Sequence, residues 1–328
     1  MQSSGKASVN TVNRRKFIAS LLGAWALLGK QIRSNSEAIE MKSSEHAEKV
    51  KLCIFSKHLQ WLNYEGMAET AAEIGFDGID LTVRPGGHVA PESVIEDLPK
   101  AAEAIRRAGL ELPMITTNIT DPLDSETEVI LRAASQVGVR FYRPGYFKYA
   151  DSTDIPDTLA EIKPKLRDLA AMNQRYQLHA SYQNHAGGNY MGAPLWDLWY
   201  LIRELDPRWI GSQFDIRHAV VEGGTSWRID LRLLLPFVRT VVAKDFRWEK
   251  HDGQWKTMNC PIGEGMVDFK QFFAMLKSAQ FTGPISVHFE YDLGGAERGA
   301  RNLSMNKNDV IAAMRKDLLR LKGFIQQA

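Results

Sequence analysis

Gly283-Pro284-Ile285-Ser286-Val287-His288-Phe289-Glu290-Tyr291-Asp292 opens on a Gly-Pro turn, runs through β-favouring residues and ends on a carboxylate, Glu290. Burying an unpaired charge is costly, so a strand closing on His-Phe-Glu-Tyr-Asp reads as one that ends at a rim where polar groups gather. Earlier apolar runs close in the same manner. The run over 50–55 leads into Ser56-Lys57-His58, and that over 76–83 into Arg84-Pro85-Gly86-Gly87-His88. The third, 110–116, ends on Thr117 and Asn118, and the fourth, 139–143, leaves from Arg143 through Pro144-Gly145. The fifth, 176–182, is tipped by Gln183-Asn184-His185, and the sixth, 210–214, by Asp215-Ile216-Arg217-His218. The seventh, 240–243, is tipped by Lys244-Asp245-Phe246-Arg247-Trp248.

Between these strands the apolar spacing turns helical, over 64–74, 94–108, 125–137, 159–173, 195–205, 231–237 and 269–279, with a closing helix over 309–326. Gly75, Gly109 and Gly138 stand where the first three helices stop. Eight strands alternating with helices predict a parallel sheet closed into a single (β/α)8 TIM barrel over residues 50–328. An open doubly wound sheet is the competing arrangement. The first strand, however, is followed by no GxGxxG, and the chain carries no Walker motif, so no nucleotide cofactor is expected.

The chain has 328 residues and a formal net charge of +2. Near-balanced charge, with eight Trp spread along the chain and not set in a basic stripe, gives no electrostatic case for nucleic acid or an anionic membrane. Residues 1–49 stand apart. Asn13-Arg14-Arg15-Lys16-Phe17-Ile18 precedes a short apolar run, 19–29, and together they resemble a twin-arginine export signal. That run is short of the roughly 20 residues of a membrane span. The resemblance implies the Tat machinery as a partner, a flexible leader to residue 49, and a periplasmic mature protein without a stable membrane span. Cys53 and Cys260 make no disulfide scaffold; a bridge between them stays open, and no CxxC or Cys/His zinc spacing occurs.

In barrels of this kind the C-terminal strand ends hold the active site. Asp215-x-x-His218 can offer a carboxylate from a strand end and an imidazole from the following loop to one ligand, or form a structural hydrogen-bonding pair. His185, in a loop before Ala-Gly-Gly, suits acid–base work or bracing of that loop. Lys244 suits an ion pair with Asp245 or another neighbouring carboxylate, or the polarisation of a substrate carbonyl. Arg143 and His88 are candidates for binding substrate, and Arg247 for substrate hydroxyls or a place in solvent. Trp248, Trp255 and Trp227 are candidates for stacking on a substrate ring, with core packing or loop anchoring the reading for at least one of them.

At these tips the sequence resembles the xylose-isomerase-like barrel superfamily of sugar isomerases, ketose 3-epimerases, inosose dehydratases and endonuclease IV. The most specific pieces are Gly75-Phe76-Asp77-Gly78-Ile79-Asp80, Gln183-Asn184-His185, Phe214 to His218, Lys244-Asp245-Phe246, Pro261-Ile262-Gly263-Glu264-Gly265 and Glu290. In the epimerase-like members the resemblance implies one divalent metal, held by Glu, Asp, His and Glu on the fifth to eighth strands. Asp215 and Glu290 match that set, and His218 matches a substrate-contacting His. Gln183 stands where the first Glu is expected, and Val242 or Ala243 where the His is expected, with Lys244 just beyond. Gln cannot act as a base, so a two-glutamate epimerisation is closed to this chain.

The expected chemistry is proton removal α to a sugar carbonyl by Glu290 or His185. The enediolate would be stabilised by a divalent ion (Mn, Mg, Co or Zn) at Asp215 and Glu290, joined by His185 or His218, or by Lys244 alone. Gln183 and His218 are expected to contact the carbohydrate. The same step serves β-elimination in a keto-glycoside lyase, and a non-catalytic sugar-binding barrel is the contrasting reading. A homo-oligomer is compatible with all of these.

Overall fold

Leu52–Phe55 forms β1, and every one of its side chains is buried. We describe the chain from a computed structural model, which describes residues 50–328; the export signal and leader expected over 1–49 lie outside the described residues. Asn63 caps α1 (Tyr64–Ile74) by accepting from the Gly66 N–H, and Gly75, at φ 101°, ends it in the left-handed region that glycine alone enters freely. The chain then passes through β2 (Gly78–Thr82), α2 (Val94–Arg107), β3 (Glu111–Thr116), α3 (Ser125–Gln136) and β4 (Phe141–Arg143). Next come α4 (Ile155–Tyr176), β5 (His179–Gln183), α5 (Trp196–Ile202), β6 (Ile210–Asp215), α6 (Ile216–Gly223), α7 (Trp227–Leu234) and β7 (Val238–Ala243). A hairpin of β8 (Asp245–His251) and β9 (Gln254–Cys260) follows, then α8 (Phe269–Ser278), β10 (Ile285–Val287) and α9 (Lys307–Gln327).

Strands β1 to β7 and β10 close into a parallel barrel in the order β1-β10-β7-β6-β5-β4-β3-β2, which is the (β/α)8 fold that the alternation predicts. Side chains alternate across each strand. Leu52 and Ile54, Ile79 and Leu81, Ala180 and Tyr182, Val241 and Ala243, and Ile285 and Val287 join the hydrophobic core between sheet and helices. The intervening set faces the barrel interior, as contacts across it show. Ser286 donates to Asp80 at 2.7 Å although β1 separates their strands, and Phe55 stacks on His288 with ring centroids 4.4 Å apart. By the same alternation Gln183, Asp215, Lys244 and Glu290 project inward at the strand ends.

Three local readings change. The helix expected over 159–173 runs from Ile155 to Tyr176, with Pro156 in its first turn, where the missing N–H costs nothing. Asp215-Ile216-Arg217-His218 is the start of α6 and not a loop: Asp215 is the N-cap and accepts from the His218 N–H at 3.1 Å. The segment after β7 is the antiparallel hairpin, turned by Asp252 (φ 50°) and Gly253 (φ 80°). Cys53 and Cys260 are both free and buried. Among the described residues no helix is long and apolar enough to cross a membrane.

Candidate active site

Lys244 is 3 % exposed, so its ammonium persists only by being matched. It lies 3.2 Å from Asp215 Oδ2 and 3.3 Å from Glu290 Oε2, and it donates to His218 Nε2 at 2.8 Å. Burial works against the charge, but the two carboxylates outweigh it and hold the lysine above its ordinary pKa. Glu290 gains in return. Burial would raise its pKa, yet Lys244, the neighbouring His288 and Lys57 bring it well below the usual carboxylate range. Its Oε1 faces Lys57 Nζ at 3.5 Å and His288 Nδ1 at 3.8 Å. Glu290 is therefore an ionised carboxylate at neutral pH, and at 24 % exposure it stays open to the mouth.

Asp215 is fixed from all sides. Its backbone N–H donates to Asn184 Oδ1 at 2.7 Å, and its carbonyl accepts from Asn184 Nδ2 at 3.0 Å. Gln183 donates through Nε2 to Asp215 Oδ2 at 2.7 Å, while its Oε1 accepts from Tyr146 at 2.6 Å and from Arg143 at 3.0 Å. The amide is thus a connector, with its donor end toward the carboxylate and its acceptor end toward two donors. A glutamate at this position would set a third carboxylate against Asp215.

His218 has a cation beside each ring nitrogen, Lys244 at Nε2 and Arg217 Nη1 3.1 Å from Nδ1. A neutral ring accepts at only one of them, and Nε2 takes the shorter contact, from Lys244. Burial first, then Lys244, His185 and Arg217, push its pKa well below the ordinary histidine value, so the ring is neutral. His185 lies against it, ring centroids 4.0 Å apart, and against Tyr190 at 4.3 Å. His185 Nδ1 is 2.8 Å from the Ala186 carbonyl, which can only accept, so Nδ1 carries the proton and Nε2 an unshared pair. Burial and Lys244 lower its pKa too. The site therefore presents two groups able to take a proton, Glu290 and His185, joined through Lys244 and His218.

Of the residues expected at this site, Glu290, Lys244, Asp215, His218, His185, Gln183 and Arg143 come together. His88 does not join them. Its Nε2 is 3.2 Å from the Leu59 carbonyl and its Nδ1 3.2 Å from Ser56 Oγ, so it braces the β1 and β2 ends, and burial brings its pKa down to about 4. Arg247 is bound to Glu249 on the exposed hairpin, and Trp248 beside it is 40 % exposed. Trp255 is exposed on the same hairpin, whereas Trp227 is buried against Phe272. Asp245 is not the partner of Lys244. Its carboxylate accepts the backbone N–H groups of Phe246, Gly263, Gly265 and Val267, which explains the Pro261–Gly265 motif as a loop wrapped around it. A side chain at Gly265 would meet Asp245 Oδ1 at 2.2 Å.

Sequence reasoning missed Lys57, Tyr146, Arg217 and His288. Lys57 and His288 share the inward parity of Phe55 and Glu290, a signal available in the sequence. Arg217 and Tyr146 carried no such signal: Arg217 is held by Asn259 of the hairpin at 2.9 Å, and Tyr146 by Gln183.

Residues 68–307 match the family described as xylose isomerase-like TIM barrel. The chain belongs to that family. No curated protein sequence matches it. Solved structures similar to this family member include the apo form of 3-keto-D-glucoside 4-epimerase, YcjR, from E. coli. That likeness is 16 % in sequence, covers 84 % of this chain and 100 % of that one, and has a TM-score of 0.62. D-psicose 3-epimerase from Clostridium cellulolyticum H10, solved with D-tagatose, is 11 % identical over 84 % of this chain and 99 % of its own, with a TM-score of 0.63. A xylose isomerase-like TIM barrel protein from Mycobacterium smegmatis, in complex with magnesium, is 14 % identical over 83 % and 99 %, with a TM-score of 0.57. At these identities the likeness establishes the fold.

The metal that such a barrel implies does not fit the donors here. The two expected ligands, Asp215 and Glu290, already share a covalently tethered cation, Lys244 Nζ, within 3.3 Å of each. Gln183 turns an N–H toward Asp215, which is the wrong end of the amide for a shared metal ligand. Among the described residues no group of three or more His, Cys, Asp or Glu is arranged to hold an ion. The expected metal pair is a lysine-bridged pair.

Proposed function

We propose that this protein is a carbohydrate isomerase or epimerase-like enzyme that removes a proton α to a sugar carbonyl. The observation that carries this reading is the contact of Lys244 with Glu290 at 3.3 Å: an ionised carboxylate beside a buried ammonium at the open end of the barrel. Glu290 takes the proton as base. Lys244 donates to the oxygen that gains charge as the enolate forms, in a buried setting where such a donor is worth far more than in water. His185, with an unshared pair at Nε2 and a neutral ring, is the second proton carrier, and it stands in for the glutamate that Gln183 replaces.

The solved relatives support a sugar, and a keto-sugar in particular, since one is a 3-keto-D-glucoside 4-epimerase. We further propose export to the periplasm through the twin-arginine route, supported by Arg14-Arg15 and the apolar run that follows. The test is solvent exchange. Free sugars and 3-keto-glucosides incubated with the protein in D2O are followed by proton NMR for loss of a carbon-bound signal. Exchange that disappears in Glu290→Gln supports the reading; no exchange across the panel sinks it.

A further inference from the structure

The two lysines of the mouth are both matched, Lys57 by Glu290 and Lys244 by Asp215 and Glu290. Two arginines on the same rim are not. Arg143, at the end of β4, is 5 % exposed, and the only hydrogen bonds of its guanidinium go to neutral oxygens, Tyr146 Oη at 2.6 Å and Gln183 Oε1 at 3.0 Å. Its Nε is buried with no partner. The Arg84 side chain, just beyond β2, makes no hydrogen bond or ion pair with any described residue; its guanidinium lies over the Phe55 ring, 5.6 Å from the centroid. Arg143 likewise lies over Tyr146 at 4.7 Å.

Asp80, a carboxylate of the barrel interior, attracts both arginines through space but makes no hydrogen bond or ion pair with either. Its oxygens take the Thr116 and Ser286 hydroxyls at 2.9 and 2.7 Å, and it forms no ion pair. Two guanidiniums held against aromatic faces with no carboxylate in contact are uncommon, because a buried charge is ordinarily paired. Burial first, and Arg143 second, weaken Arg84's hold on its proton. An anion relieves both.

We propose that Arg84 and Arg143 form an oxyanion-binding subsite, and that the substrate is an acidic sugar bearing a carboxylate or a phosphate ester. The inference rests on the sugar reading above and names its substrate class. A guanidinium fork matches either oxyanion with two parallel hydrogen bonds, and the unpartnered Nε of Arg143 is one of the donors so used. Arg143 also touches Gln183, which touches Asp215, so the bound anion is tied to the reacting centre through two side chains.

The experiment is calorimetric binding of D-glucuronate, D-glucose 6-phosphate and neutral D-glucose to the full chain, to Arg84→Gln and to Arg143→Lys. At least one acidic sugar is expected to bind about ten-fold more tightly than glucose. Arg84→Gln, which removes only the guanidinium's place over the Phe55 ring, is expected to preserve the fold and to erase that preference. Arg143→Lys is expected to weaken it, because the charge survives and the fork does not. Preference for glucuronate identifies a carboxylate, and preference for the phosphate ester identifies a phosphate. Glucose binding as tightly as both acids, no binding of either acid, or a preference that survives Arg84→Gln overturns the proposal. Exchange in D2O is read on the same samples: an acidic sugar that binds through Arg84 without exchanging keeps the subsite and removes the enolate chemistry.

Discussion

The ammonium of Lys244 lies 3.2 Å from Oδ2 of Asp215 in a part of the barrel where the two side chains are 3 % and 0 % exposed. Neither charge has water to fall back on, so each is sustained by the other and by the groups around them. Removing one member of such a pair strands its partner, at a cost of about 3–5 kcal/mol. Lys244→Met is expected to lose stability of that order in urea unfolding. Adding Asp215→Asn should recover most of it, while both variants stay inactive. A single variant as stable as the wild type would contradict the pairing.

Glu290→Gln tests the base. Lys244 keeps Asp215, so the fold is expected to survive, while exchange of the substrate proton should fall by about 10²–10⁴-fold. Because Lys244, His288 and Lys57 outweigh burial and hold Glu290 well below its ordinary pKa, it stays ionised throughout the usual carboxylate range. The rate should therefore not decline as pH is lowered from 7 through that range on account of this group. A rate profile that falls with an apparent pKa near an ordinary glutamate would assign the base elsewhere.

Lys244 and Gln183 together set the cation requirement. The wild type is expected to take up no Mn²⁺ by calorimetry or electron paramagnetic resonance. The double variant Gln183→Glu with Lys244→Ala removes the tethered cation and leaves three carboxylates with His218 around the space, a donor set that suits a divalent ion. That variant should bind Mn²⁺. Equal uptake by wild type and variant would sink the view that the lysine stands in for the metal.

Asp317, on α9, offers a stability test remote from the chemistry. It is 1 % exposed, accepts the Ile262 N–H at 3.2 Å through Oδ2, and leaves Oδ1 buried without a partner. Burial outweighs its hydrogen bonds and lifts its pKa to about 6. The native state then binds its proton more tightly than the unfolded chain does. This contribution is fully present below the unfolded carboxylate pKa and is lost as pH rises through about 6. Asp317→Asn should accordingly stabilise the protein at pH 8, by up to about 3 kcal/mol, and by less at pH 5. Equal effects at both pH values would refute the shift.

The barrel was legible because its signals are local and repeated: apolar runs of strand length, glycine stops such as Gly75, and polar tips after each strand. The inward site residues were legible for the same reason, as positions just past those runs. Helix α6 was hidden because Asp215 serves two purposes, capping a helix and facing the interior, and the polar cluster read as a loop. The hairpin carried an Asp252-Gly253 turn signal between two runs too polar to stand out as strands, since only a few of their side chains are buried. The partner of Lys244 was beyond reach of the sequence. Asp245 stands next to it in the chain but points to the Pro261–Gly265 loop, whereas Asp215 and Glu290 reach it only through the closure of the sheet.

Side chains that alternate strictly between core and interior make the barrel intolerant of one kind of change. Deleting a single residue between Gly283 and Ser286 would not shorten a turn. It would swap the two faces of β10, driving Phe289 into the mouth and Glu290 among the helices. New length is absorbed only beyond the strand ends, as the hairpin after Lys244 illustrates. Descent with altered specificity in this chain is thus confined to exchanging residues at fixed addresses and to growing the loops that overhang them.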